Sequence, residues 1–497
     1  MIPKSGTLHS DTPTQAPAGY NMDIWNNDPV KDCAQKYMIQ LVPNDDLPKI
    51  VSGLELSRDD NFKLILKVGS SATDSPKRKE MPLGHVYISN NTIELKGRLG
   101  SGMLRGVTLQ QVHTELSAHN RDAATTSQYS IDRVEFRLSD NPINFTVDRI
   151  ANLPSHYNWP HGFKEEKTGK YKRTFTGDPP ITIDIDSPRQ TNLSSSCARL
   201  TLGDHTVFIG TMDSEDIPKS KNPGYIFYTG SPDRETREAI RDSLAFAFGL
   251  PLIHFGSCFY NERGGLIAFE ALTPMTMGDR AWNIPSQPFA PITFEQPNFL
   301  DNGKFESLAR AFFDNHQKHY LHVFLFRLWY AESSPYFMKP AYYGSMIETI
   351  QKRRIKSTDL SISHTILETD DYKKIKARLT KFLQKQKLDE EIIRLLQQKI
   401  DNGNAASQRV VAERFYASLG LSLGKVENTA WNMRNDAAHG NELIPGSEIE
   451  LIRSTKILRV ILGRIILKLI NGSEHYIDYY TLGHPVRNLN EAIPETS

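Results

Sequence analysis

Residues 431–440 read Trp-Asn-Met-Arg-Asn-Asp-Ala-Ala-His-Gly, so Arg434 is followed after four residues by His439. Arginine carries a permanent charge on a planar fork that fits phosphate oxygens, and histidine exchanges a proton near neutral pH. Together they suit phosphoryl transfer on a nucleic acid. Spacing alone says little. With four to six residues between partners the chain holds five such pairs: Arg78/His85, Arg149/His156, Arg199/His205, Arg310/His316 and Arg434/His439. Only the last two fall in helical stretches, and only Arg434/His439 has an asparagine directly after the arginine and a glycine directly after the histidine.

On a helix beginning near residue 424, Val426, Ala430, Met433 and Ala437 form an apolar stripe facing the bundle. Arg434 flanks that stripe, while Asn435 and His439 share a face away from it. Arg434 and His439 stand about 140° apart around an ideal helix. Convergence on one phosphate therefore needs unwinding before Gly440 or a second copy of the chain. His439 falls in the last turn, where the helix dipole favours the protonated ring. A plainer arrangement stays open, in which Arg434 pairs with a carboxylate on a neighbouring helix and His439 caps its own. Glu348, in SMIETIQKR, is a candidate acidic partner of the motif, and an i,i+4 pair with Lys352 explains it equally well.

Other constellations are weaker. Gly97, Gly100, Gly102 and Gly106 match neither a dinucleotide fingerprint nor a P-loop and read as a strand bend or turn. Asp184 and Asp186 share a strand face but lack a third acidic partner in register. His316, His319 and His322 drift about 60° per step around one helix, so they do not face a single ion. No metal or other cofactor is expected.

The elements that position these residues fall into two halves. Period-two alternation dominates from about 35 to 272, as in Val134/Phe136/Leu138 and Ile181/Ile183/Ile185, with strands also at 62–67, 85–96, 198–210, 251–260 and 265–272. The residues Asn261-Glu262-Arg263-Gly264 suggest a hairpin. One helix interrupts the strands, with Ser231 as N-cap, Pro232 at its first position and Gly249 at its end. Five prolines between 273 and 299 suggest a domain boundary. Helical patterns follow at 301–332, 338–356, 368–386, 388–402, 406–419, 424–439 and 446–471. The expected class is α+β multidomain: a tail at 1–20, a β-rich domain at 21–272, a linker at 273–299, an all-α bundle at 300–475 and a C-terminal tail at 476–497.

Composition narrows the function classes. Mean hydropathy is −0.45, and the most apolar long run, 457–470, is interrupted by Arg459, Arg464 and Lys468, which excludes a membrane span. MIPKSGTLHS has no basic stretch followed by an apolar one, and three scattered cysteines fit a reducing compartment. A cytoplasmic protein is expected. The net charge of +1 hides an excess of about +8 over 351–470, leaving the rest near −7. That asymmetry suits an anionic ligand on the helical half, with Lys352, Arg353, Arg354 and the basic residues of the last helix as candidates to track an RNA backbone.

The RNDAAHG string in a C-terminal helical region resembles the R-N-x-x-x-H signature of HEPN domains, in particular the Apea-like HEPN group of anti-phage defence proteins. The resemblance covers roughly 300–475, with the β-rich half standing where that group carries its N-terminal domain. It implies a HEPN bundle fold and a metal-independent endoribonuclease whose site forms between two protomers of a homodimer. In that setting Arg434 neutralises the phosphate, and His439 assists 2′-OH attack or protonates the leaving oxygen. Asn435 orients His439 or holds the phosphate, and Asp436 orients Arg434. Products would carry 2′,3′-cyclic phosphate ends. The RNA would be tRNA or another cellular or phage RNA, and the enzyme an abortive-infection effector whose N-terminal domain awaits a phage-derived trigger. The alternative is a non-catalytic HEPN scaffold that binds a nucleotide or a partner.

Overall fold

The structure is a computed structural model of the 497-residue chain. It describes residues 28–31, 37–44, 46–74, 91–115, 124–155, 157–167, 170–175, 181–186, 190–212, 222–274, 289–296, 299–356, 362–438 and 446–495. For some of these, including 162–196 and 435–438, the backbone alone is described. The expected tail at 1–20 lies outside the described residues.

Contacts divide the chain into two compact units, one of residues 1–144, 211–225 and 256–273, the other of 145–210, 226–255 and 274–497. This differs from a single cut in the proline-rich stretch at 273–299. The reason is burial: strands and a helix between 145 and 255 share one apolar core with the C-terminal helices, from Ile150 and Leu200 through Phe248 to Phe305 and Ile465. The class is α+β, with a large antiparallel β region in the N-terminal half and helices mostly in the C-terminal half.

The first unit opens with β1 (Gln40–Leu41), β2 (Gly53–Arg58), β3 (Leu64–Ser71), β4 (Thr92–Gly97), β5 (Gly100–Arg105), β6 (Thr108–Glu115), β7 (Ala124–Ile131) and β8 (Arg133–Arg137). The second unit holds β9 (Phe145–Ile150), β10 (His161–Lys167), β11 (Lys170–Phe175), β12 (Ile181–Asp186), β13 (Gln190–Leu202) and, apart from terminal residues, β14 (His205–Thr211) and β15 (Gly224–Thr229). From Gly256 onward, β16 (His254–Tyr260) and β17 (Leu266–Leu272) belong to the first unit.

That unit contains the antiparallel orders β2-β3-β7-β6 and β1-β4-β5-β8-β17-β16. Alternation drives them: Leu64, Leu66 and Val68 are buried while Ile65, Lys67 and Gly69 are less so. Gly97 pairs with Gly100 across a two-residue turn, and a Cβ on Gly102 would lie 2.7 Å from the Phe136 ring. These glycines serve strand geometry. The second unit holds the order β9-β15-β14-β13-β10 and the β11–β12 hairpin.

Helix α1 (Arg234–Phe248) begins two residues later than the sequence suggests. Its cap is Asp233, whose carboxylate accepts the Thr236 N–H at 2.7 Å, so Ser231 and Pro232 precede the cap. Gly249 ends it at φ +73°, where a Cβ would strike the Phe289 backbone. Phe246 and Phe248 stack on Phe312 and Phe305 of α2 (Asn302–Asn315), each pair 4.6 Å apart.

The expected single helix at 301–332 is two. After α2, His316 Nε2 donates to the Asp242 carboxylate of α1 at 2.9 Å, and Tyr320 takes φ +53° before α3 (Leu321–Glu332). His316 is buried, His319 half-buried and His322 exposed, with the rings of His316 and His322 5.9 Å apart and only His322 within a helix. Next come α4 (Lys339–Lys356), α5 (Thr369–Leu383), α6 (Glu390–Asn402), α7 (Gln408–Ser418), α8 (Lys425–Ala438) and α9 (Glu448–Ile470), close to the expected bounds.

Two basic residues of α9 do not reach solvent as the RNA-tracking expectation required. Arg464 is 1 % exposed and pairs with Glu427 of α8, and Arg459 lies 2.5 Å from Glu332 of α3. Short ladders complete the unit: β18 (Glu295–Gln296) with β19 (Phe299–Leu300), and β20 (His475–Ile477) with β21 (Val486–Asn488). Of the stretch 476–497, expected as a tail, the described residues 476–495 instead pack into the unit. Tyr476, Leu489 and Ile493 are buried, and Arg464 donates to the Leu489 carbonyl at 3.0 Å.

Glu427→Ala strands a buried guanidinium and should cost about 3–5 kcal/mol in urea unfolding, whereas the apolar pair Glu427→Leu/Arg464→Met should recover at least half of that. Burial alone would raise the Asp478 carboxyl, but hydrogen bonds from Thr481, Arg487 and the Tyr480 N–H bring it below its ordinary value. Its contribution is therefore present above the ordinary carboxylate value of 3.8 and lost as pH falls through the lower folded value. Asp478→Asn should lower the unfolding midpoint at pH 7 and shrink the fall seen below about pH 4.

Candidate functional site

Helix α8 presents Glu427, Ala430 and Arg434 inward at 0, 1 and 8 % exposure, the i, i+3, i+7 row of one face. Arg434 therefore sits on the buried face and not at its flank, while Val426 and Met433 are only half-buried. Charge is tolerated there because each charged residue meets a counter-charge from another helix: Glu427 meets Arg464, and Arg434 meets Glu348.

The Arg434 environment is specific. Its Nη1 lies 2.5 Å from Oε1 of Glu348 on α4. Its guanidinium carbon stands 3.6 Å from the centre of the Trp431 ring, one turn back on its own helix. Gly344, one turn before Glu348, permits the approach, since a Cβ there would lie 2.7 Å from the Arg434 Cδ. Arg434 Nε is buried with no hydrogen-bond partner among the described residues. Trp431 also meets Tyr416 of α7 edge to face, with ring centres 6.5 Å apart. Burial pushes the Tyr416 phenol well up, as Glu427 does, against the pull of Arg434 and Arg464. Burial likewise raises the Glu427 carboxyl, opposed by Arg464 and the Gly424 N–H.

Glu348 also approaches Lys352 at 3.9 Å, so the two partners proposed for it from sequence coexist, with Arg434 the closer. An arginine fixed through one arm keeps further N–H groups for an anion while losing freedom to move. Asn435 and Asp436 lie on α8, but their side chains are outside the description, and His439 and Gly440 lie outside the described residues. On α4, Lys352 and Arg353 are exposed and Arg354 is half-buried. Gly344, Trp431 and Tyr416 were not legible as part of the site. The only local signal was Trp431 three residues before Arg434, a spacing that stacks side chains on a helix.

A second charged cluster also escaped sequence reading. Asp148 on β9 is fully buried, 2.5 Å from Arg237, paired with Arg241 and accepting from the Tyr228 hydroxyl at 2.9 Å. Arg237 and Arg241 stand four apart on α1, so the cluster ties that helix to the sheet. Asp184 and Asp186 lie opposite Lys172 and Lys170 in the β11–β12 register. Among the described residues no three His, Cys, Asp or Glu side chains converge in a metal-binding group, and no helix is long and apolar enough to cross a membrane.

No protein-family model, curated protein or solved structure matches the chain.

Glu348→Ala leaves Arg434 buried without its carboxylate and should destabilise by about 2–4 kcal/mol. Arg434→Ala and the double variant complete a cycle whose coupling energy should be about 1–3 kcal/mol by urea unfolding. Gly344→Val should displace Arg434 and approach the cost of losing the pair.

Proposed function

We propose that the chain is a metal-independent HEPN endoribonuclease of the anti-phage, abortive-infection type, with Arg434 and His439 at a site shared by two copies. The observation that carries this reading is the RNDAAHG string, whose first five residues close α8 and whose arginine is held by Glu348, Trp431 and the space above Gly344. A phosphate passing through a pentacoordinate state gains charge on its non-bridging oxygens, and a preorganised guanidinium stabilises that charge without reorganising. His439 moves the proton of the 2′-OH or of the leaving 5′-oxygen, with Asn435 orienting it and Asp436 acting on Arg434. RNA is the substrate, tracked by the exposed Lys352 and Arg353 with Arg354 beside them. Residues 21–272 restrain the nuclease in the cytoplasm until a phage-derived trigger is met.

The need for a second copy finds support in the α5–α6 hairpin. Helix α5 buries only Leu383 and α6 buries none of its residues, while Ile375, Leu379, Phe382, Ile392, Leu395 and Leu396 are all exposed. Two helices with an uncovered apolar face are what a self-complementary partner would cover. A second reading is favoured by one observation: Arg434 is 8 % exposed and engaged with Glu348, as in a non-catalytic helical scaffold.

The test is cleavage of total cellular RNA in EDTA by the purified protein, alone and with lysate from infected cells. Wild type should yield fragments that His439→Ala and Arg434→Ala do not. Leu379→Lys/Leu395→Lys should be monomeric by light scattering and at least about tenfold slower, since one protomer lacks half the site. RNA left intact by wild type under both conditions favours the scaffold.

A further inference from the structure

A cavity of about 550 Å³ opens between α3, α4, α9 and the 316–320 connection, within the range that holds a small ligand. Its floor is apolar, with Phe324, Met346, Ile350 and Ile466, and its rim carries Lys318, Arg327, Arg353 and Arg354. No aspartate or glutamate lines it. Among the described residues no carboxylate stands within salt-bridge range of Lys318, Arg327 or Arg353, whereas Arg434, Arg459 and Arg464 each have one. Cations gathered over an apolar floor repel one another, and an anion relieves that repulsion.

The aromatic component is present as well. Tyr320 takes φ +53°, a conformation that non-glycine residues adopt at a cost, and the residue stays 56 % exposed beside the cavity. The Arg353 guanidinium lies 5.0 Å from the centre of that ring. Burial, with Lys318 and Arg354 nearby, holds the His319 ring below its ordinary value, while a hydrogen bond to the Leu469 backbone acts the other way. His319 therefore contributes a polar ring to the lining and less positive charge than a free imidazole would.

We propose that this cavity binds a nucleoside phosphate, with the phosphates on Lys318, Arg353 and Arg354 and the base against Tyr320 and the apolar floor. Three or more cations exceed what one carboxylate of a fatty acid would use, and a free phosphate would leave the floor unused. A planar base stacks on a tyrosine or an arginine plane, and paired arginines fit phosphate oxygens. The site shares Arg353 and Arg354 with the proposed RNA track but uses neither Arg434 nor His439, and it stands whether or not the chain cuts RNA.

The experiment is calorimetric titration of the full chain with the 5′-diphosphates of adenosine, guanosine, cytidine and uridine, beside the free nucleosides and inorganic phosphate. At least one diphosphate should bind one-to-one, about tenfold or more tighter than its nucleoside or phosphate alone. Lys318→Ala/Arg353→Ala, two exposed positions, should weaken it at least about tenfold without moving the unfolding midpoint. Ile350→Trp should fill the floor and block binding while leaving a cooperative unfolding transition. Absence of binding by all four diphosphates, or binding that survives both variants unchanged, overturns the proposal.

Discussion

The inward face of α8 carries charge, and the packing of the helical unit follows from that fact. Glu427 and Arg434 lie two turns apart on one row, and neither can be buried alone. Arg464 of α9 answers the first and Glu348 of α4 the second. Two ion pairs of opposite polarity fix both the height and the rotation of α8 between its neighbours. A slide by one turn would part both pairs, and a slide by two would set Arg434 beside Arg464. Arg464 extends the constraint further, donating to the carbonyls of Leu489 and Ser422, and so secures the C-terminal segment.

That constraint reaches the motif. Arg434 is the last inward residue of α8 whose side chain is described, and Asn435 to Ala438 follow it to the end of the helix. The glycine at 344, the ring of Trp431 and the carboxylate of Glu348 act together to hold one guanidinium. The same contacts serve a scaffold by locking a helix and serve a nuclease by preorganising a cation. Chemistry at the phosphate distinguishes the two.

Much of this was legible in the sequence, and the failures share a cause. Helix bounds from 338 to 471 follow from period and caps, because those signals are local. Glu348 stood out as an acid near the motif, and Arg434 as a residue that could pair across helices. Its placement on the buried face was not legible, because an apolar-stripe rule sends charges outward and is overridden only by partners far along the chain. The same holds for Arg459 and Arg464, which look like a solvent-facing basic pattern until Glu332 and Glu427 are placed. The break at 316–320 depends on His316 meeting Asp242, and the burial of Tyr476, Leu489 and Ile493 depends on α9, so neither leaves a periodic trace. The join of the 145–255 segment to the helices is likewise a matter of shared core, which proline content does not report.

The most direct measurement is the chemistry of the ends left on cleaved RNA. Fragments made in EDTA by the wild-type protein, and missing with Arg434→Ala, should end in 2′,3′-cyclic phosphate and begin with 5′-hydroxyl, as an arginine- and histidine-assisted attack by the 2′-OH requires. Fragments ending in 3′-hydroxyl, or cleavage that appears only with Mg²⁺, would contradict a mechanism built on Arg434 and His439.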